Sequence, residues 1–311
     1  MKKYLNIVLI SLLMLSGCTT VNIETDKPNV IVTLFPQYDM VRAIAQDKVN
    51  LEFLLPAGVE PHAYEPTPNT LIKINESDLF IYTSDDMETW ISNLFNELDE
   101  NGPTIVNTSV GVELISHEDE HEHEDEDGHE EEESELDPHY WLDPLNAKIM
   151  VVNVTNGLIE IDPENKDFYQ ANSEKYLQEL DTLDQEFIDI FDRVKLNKII
   201  YGGHFAFGYL AHRFNVEILS PYTGYSPDAE PSVSSLAELI DVMEMNQIKV
   251  IFYEELVDPK IARTISEQTG AEIEVLHGAH NLSVEEMDQG LTYFDVMRSN
   301  IEKLKVALNY E

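Results

Sequence analysis

Ten histidines occur in this 311-residue chain, and they divide into two populations. Four of them, His117, His121, His123 and His129, lie in a run of nineteen residues of which thirteen are Asp or Glu. The other six stand in ordinary globular sequence, and four of these fall at the ends of predicted elements, where α/β proteins place their ligands. His62 lies in Gly58-Val-Glu-Pro-His-Ala-Tyr-Glu-Pro66 after one predicted strand, and His204 lies in Tyr201-Gly-Gly-His-Phe-Ala-Phe-Gly-Tyr-Leu210 after another. His280 follows a strand ending at Leu276, and His139 sits in Asp137-Pro-His-Tyr-Trp-Leu-Asp-Pro144, at a proline-rich turn before a helix. A single imidazole in such a place is usually structural or exposed. Four in similar settings, two in each half of the chain, could hold one cation between them, and imidazole suits zinc. His277 competes with His280 for the fourth position, and Glu60 could be either a nearby anion or an exposed loop acid.

Placing those histidines requires a strand-helix-strand rhythm, and the apolar pattern supplies one twice. Strands are predicted over 29–34, 51–55, 79–82 and 104–106, with helices over 38–47, 68–75 and 87–98. A second series has strands over 198–201, 216–219, 249–253 and 272–276, with helices over 205–213, 233–245, 260–269 and 285–308. Alternation of this kind points to parallel strands, which need crossover connections. Between the two series, Phe168, Tyr176, Leu180, Leu183, Phe187, Phe191 and Val194 recur mostly at steps of three and four with no Gly or Pro after Pro163, the pattern of one long amphipathic helix. The expected fold class is α/β: two lobes, each a small parallel sheet flanked by helices, joined by one long rigid helix with the site in the cleft. The expected division is an N-terminal lobe over 29–162, the linking helix over 163–195 and a C-terminal lobe over 196–311.

Sixty acidic residues against nineteen basic give a net charge of −41, which repels nucleic acid and anionic lipid and favours cations. A hydrophobic content of 43% excludes a disordered chain, and a single cysteine excludes both an internal disulfide and a cysteine-built zinc site. The run from His117 to Glu135 has no apolar residue to anchor it, so a mobile surface loop is expected. Its histidines read as weak auxiliary metal contacts, a collector or a sensor, or as a solvated charge run that is rich in histidine. At the amino terminus, Lys2 and Lys3 precede an apolar stretch too short for a comfortable membrane span. That stretch ends in Leu15-Ser-Gly-Cys18, which resembles the bacterial lipobox. Residues 1–17 are thus expected to be a signal peptide, Cys18 a lipid-bearing first residue, and 18–28 a polar tether that anchors the chain to the bacterial cell membrane without a transmembrane helix.

Together, the four histidine-bearing blocks and Tyr225-Ser-Pro-Asp-Ala-Glu-Pro-Ser232 resemble the zinc-specific solute-binding lipoproteins of bacterial ABC importers, over about Asn29 to Leu308. The resemblance implies an extracytoplasmic monomer, not an enzyme, that binds Zn2+ as transported cargo and delivers it to an ABC permease and its ATPase. The family's first three metal histidines carry over onto His62, His139 and His204. Many relatives have Asp or Glu where this chain has His280, which is preferred to His277 because the aligned carboxylate position falls there. Four imidazoles would suit zinc and disfavour manganese, a harder ion. Manganese or iron transport on the same fold, or a metal-binding surface adhesin, are the alternatives. A metalloenzyme is opposed by the lack of a His-Glu-x-x-His helix and by a fourth histidine that closes the coordination. Protons are expected to compete with zinc near an unperturbed histidine pKa of about 6.5.

Overall fold

Strand β1 (Asn29–Val32) and strand β3 (Leu79–Tyr82) are buried almost throughout, the mark of central strands covered by helices on both faces. With β2 (Asn50–Phe53) and β4 (Thr104–Asn107) they form a parallel sheet of order β2-β1-β3-β4, in which Val30 pairs with Leu51 on one side and Leu79 on the other. This computed structural model describes residues 27–96, 98–99, 102–116, 136–204, 206–222 and 231–310. The expected signal peptide, Cys18, most of the tether and the acidic run with His117, His121, His123 and His129 lie outside them.

Four helices serve this sheet: α1 (Phe35–Ala45), α2 (Pro68–Asn75), α3 (Ile91–Phe95) and α4 (Pro144–Ile161). Local chemistry sets their starts. Thr67 accepts from Thr70 N ahead of Pro68, and Asp143 accepts from Leu145 N ahead of Pro144, so each pairs a capping oxygen with a proline that has no N–H to leave unsatisfied. Helix α1 starts at Phe35, three residues before the predicted boundary, because Pro36 fits the first turn. Helix α3 is shorter than the predicted 87–98. The buried Glu88 carboxylate draws the preceding segment into a turn by accepting from Thr83 N, Ser84 N and the Thr33 hydroxyl.

The long helix is present as α5 (Lys166–Phe191), 26 residues, entered through a 3-10 turn at Pro163–Asn165. Beyond it lie β5 (Lys198–Ile200), α6 (Gly208–Phe214), β6 (Glu217–Leu219), α7 (Val233–Asn246), β7 (Val250–Tyr253), α8 (Lys260–Thr269) and β8 (Glu272–Val275). The second sheet is split into two parallel pairs, β5-β6 and β7-β8. They touch where Tyr201 bridges Phe252 and Gly202 N donates to Phe252 O at 2.7 Å. The chain then turns away through Gly202-Gly203, before a longer ladder can form. The predicted single helix over 285–308 is instead α9 (Val284–Gln289) and α10 (Tyr293–Ala307). Gly290 ends the first in the left-handed region at φ 71°, and Thr292 with Asp295 caps the second.

Although α5 is the only covalent crossing, the two halves share one apolar core, which runs from Val30, Val41 and Val154 through Leu180 and Phe187 to Tyr201, Leu276 and Leu304. A smaller cluster with Ile200, Met243, Ile251 and Ile265 supports the second sheet. Asp39 of α1 pins three helices: it pairs with Arg42 at 2.5 Å and accepts from Tyr176 Oη of α5 at 2.9 Å and Tyr293 N of α10 at 3.2 Å. Burial raises its pKa, with Arg42 opposing. Among the described residues no helix is long and apolar enough to cross a membrane.

Helix α4 lies so close to the sheet that a Cβ on Gly157 would come 2.6 Å from Val106 Cγ2 and 3.3 Å from Leu79 Cδ1. Gly157→Ala should gain up to about 1 kcal/mol of helix propensity but lose about 1–3 kcal/mol to overpacking. The expected result is a melting temperature lower by a few degrees in a thermal unfolding scan, and an unchanged or higher value would contradict this packing.

Candidate metal centre

Each of the four histidines nominated from sequence arrives on a loop at the edge of a strand or helix, and all four converge. His62 sits in the loop after β2, in a turn built by Glu60, whose carboxylate accepts from His62 N at 3.0 Å and Ala63 N at 2.9 Å. Glu60 is therefore a loop-building acid. His139 caps the 3-10 turn Tyr140–Leu142, His204 follows the Gly202-Gly203 turn after β5, and His280 lies in the loop after β8. Ligating atoms of His62, His139, His204 and His280 all fall within 4.8 Å of one another. His139, His204 and His280 are buried, and His62 is half-buried.

Three of the rings are oriented by carboxylates. His139 Nδ1 faces Asp137 Oδ1 at 2.8 Å, His204 Nδ1 faces Glu254 Oε2 at 2.7 Å, and His280 Nδ1 faces Glu255 Oε1 at 3.0 Å. An ionised carboxylate accepts, so a ring that faces one carries its proton on Nδ1 and presents a lone pair at Nε2. The lone pairs point inward. His139 Nε2 is 3.2 Å from His62 Nε2 and 3.4 Å from His204 Nε2, while His280 Nε2 is buried without a hydrogen-bond partner among the described residues. Nitrogens at about 2.0–2.1 Å from a tetrahedral zinc stand about 3.3–3.4 Å apart, so the spacing matches that ion. Inward-facing lone pairs at this distance are favourable only around a positive centre.

Electrostatics keep the rings neutral. Burial, reinforced by His280 and His204, pushes His62 down to about 2, and burial with the neighbouring imidazoles holds His139 well below its ordinary value. His204 falls to about 4 through burial, with Glu60 and Glu255 opposing. Competition by protons, expected near the ordinary histidine value, is thereby displaced into stronger acid. Glu254 is raised to about 8 by burial and by the adjacent Glu255 charge. Glu255 is held low against the effect of burial, by His277, His280 and the Gly278 N–H.

His277 stays outside the cluster. In the neutral ring Nδ1 accepts from Ala279 N at 2.9 Å, whereas the imidazolium instead turns its Nδ1–H to Glu255 at 3.4 Å and its Nε2–H toward Glu286 at 3.8 Å. Two glycines admit the rings. A Cβ on Gly278 would meet His280 Cε1 and stand 2.5 Å from its Nδ1, and one on Gly203 would come 3.0 Å from Glu254 Cβ. The orienting carboxylates Asp137, Glu254 and Glu255 were missed in the sequence, although Glu254 and Glu255 occupy the same strand-end position that drew attention to the histidines. The block Tyr225–Ser232 lies mostly outside the described residues.

A family model described as zinc-uptake complex component A, periplasmic, matches residues 30–307. The chain is similar to the high-affinity zinc uptake system protein ZnuA of Bacillus subtilis (strain 168), at 40% identity over 283 residues, which cover 91% of this chain and 88% of that protein. It is 33% identical over 311 residues to the zinc-binding lipoprotein AdcA of Streptococcus pneumoniae (strain ATCC BAA-255 / R6), and the match spans 99% of this chain but 62% of AdcA. The solved Zn(II)-bound ZnuA-like domain of Streptococcus pneumoniae AdcA superposes with a TM-score of 0.76 at 30% identity, over 91% of this chain and 99% of that one.

His280→Ala should weaken metal binding by well over about tenfold, since even changes to groups that orient ligands cost about 10- to 100-fold, whereas His277→Ala should leave affinity nearly unchanged. The His277 substitution should instead cost stability. Against the effect of burial, Glu255 and Glu286 raise its folded-state pKa, so its ion pairing is complete below about pH 6.5 and is lost as pH rises through the raised value. Titration calorimetry and melting at several pH values separate the two effects, and silence of His280→Ala would remove that residue from the site. Gly278→Ala should mimic His280→Ala by displacing the ring, and wild-type affinity in that variant would contradict the packing described.

Proposed function

The chain belongs to the periplasmic zinc-uptake component A family, and on that premise we propose that it is the extracytoplasmic zinc-capturing component of an ABC-type importer. It holds one Zn2+ through His62, His139, His204 and His280 and passes it to a membrane permease driven by an ATPase. One observation carries this reading: four imidazole nitrogens gather within 4.8 Å of one another, and the His139–His62 and His139–His204 separations of 3.2 and 3.4 Å are those expected around a tetrahedral zinc. Four such ligands leave no open position for an activated water, so the site fits carriage rather than hydrolysis. The absence of an oxygen ligand among the four favours zinc over manganese.

Export and anchoring complete the role. Residues 1–17 direct secretion, Cys18 carries the lipid, and residues 18–28 tether a monomer to the outer face of the cell membrane. The acidic run with His117, His121, His123 and His129 acts as a weak collector beside the main site. The two ends that flank the run meet, since Ser116 bridges Leu136 and Asp137 N donates to Ile115 O at 2.9 Å, two residues before His139.

Because those ends already meet, deleting 117–135 should leave the fold and one tight zinc equivalent intact while removing weaker equivalents. Calorimetric titration of the full and shortened chains, with metal content measured after purification, tests this. Loss of the tight equivalent on deletion would move the principal site into the acidic run, and manganese displacing bound zinc would reassign the cargo.

A further inference from the structure

The loops that carry His62 and His280 come from distant parts of the chain, yet they are joined by a residue outside the ligand set. Asn281 is completely buried, and its Nδ2 donates to Pro56 O at 2.8 Å and to Val59 O at 2.9 Å, both in the loop leading to His62. Its Oδ1 accepts from Leu282 N at 2.8 Å, so both donors and the acceptor oxygen are engaged. Beside it, Gly58 N donates to Leu282 O at 2.8 Å, and Phe35 N donates to His280 O at 3.0 Å. We infer that Asn281 is a positioning residue of the metal site, holding the His280 loop against the His62 loop and thereby setting where the His62 imidazole stands. This inference rests on the four-histidine reading above.

His62 needs such support more than its partners do. Carboxylates orient the rings of His139, His204 and His280, but among the described residues none takes a ring nitrogen of His62. Glu60 fixes only the backbone of the turn. The segment from Leu54 to Thr67 contains no helix or strand, so its placement depends on contacts such as these two amide bonds. Only an amide serves here. Two converging carbonyls need two donors, and Leu282 N needs an acceptor, a set that neither Asp nor Ser can supply.

A double-mutant cycle separates positioning from general loop support. Zinc affinity is measured for wild type, Asn281→Ala, His62→Ala and the double variant, with the melting temperature of each zinc-stripped protein recorded alongside. Asn281→Ala should weaken zinc binding by about tenfold or more when His62 is present, but by less than about threefold when His62 is already gone, because the asparagine then has no ring to place. Equal losses in both backgrounds, or no loss in the first, would overturn the inference. Should the alanine variant fail to fold, Asn281→Asp carries the same cycle, since it keeps the shape and the acceptor for Leu282 N while removing both donors. A wild-type chain without a tight zinc equivalent would instead overturn the site reading itself.

Discussion

Four imidazole nitrogens aimed at one point, lone pairs inward, form the constraint on which the rest of this structure turns. Neutral rings so arranged repel one another, and protonated rings would repel more strongly, so only a cation between them makes the arrangement favourable. The fold meets this demand from outside. Asp137, Glu254 and Glu255 each face a ring Nδ1, and an ionised carboxylate in that place accepts from the ring N–H, which fixes the tautomer and the plane of the ring. Burial adds the second condition. By disfavouring the imidazolium form it keeps His62, His139 and His204 ready to bind well below neutral pH.

Delivering four rings to one point is a task for backbone geometry. The loops after β2, β5 and β8 leave the ends of strands in three separate parallel ladders, and it is the packing of those ladders around one shared core that lets the loops meet. Close approach then decides which residues those loops can use. Gly203 lets Glu254 reach His204, and Gly278 leaves the space that the His280 ring fills. Trp141 ties the two halves at the same place, with its indole Nε1 donating to Gly278 O at 2.8 Å and its carbonyl accepting from Tyr293 Oη at 2.5 Å. Asp39 repeats the device farther from the site, joining α1, α5 and α10. A wide hinge between the halves would have to expose the core they share and break these buried bonds.

Charge acts on two length scales. A net charge of −41 raises the local concentration of cations around the whole molecule, but at physiological salt that field decays over about 8 Å. It recruits without selecting. Selection belongs to the buried cluster, where a set of four imidazole nitrogens suits a borderline ion and offers a harder one little.

Much of this was legible in the sequence because it depends on local pattern. Apolar runs and periodic stripes marked β3, α2, α8 and the long α5, strand-end positions singled out His62, His204 and His280, and a proline-rich turn before a helix singled out His139. Where local signals competed, boundaries moved: Pro36 drew α1 forward, Glu88 shortened α3, and Gly290 cut one predicted helix in two. The choice of His280 over His277 came from resemblance, and its physical basis appears only in the fold, where Glu255 turns one ring inward and Ala279 N occupies the other. Asp137, Glu254, Glu255 and Asn281 were invisible as site residues for the same reason. One acid among sixty, or one amide, carries no local mark of its partner, and the partners of Glu254 and Asn281 lie 50 and more than 220 residues away. Residue type and spacing determined which side chains could ligate; the meeting of distant loops decided which of them converge on one point, because only tertiary packing sets the direction of a lone pair.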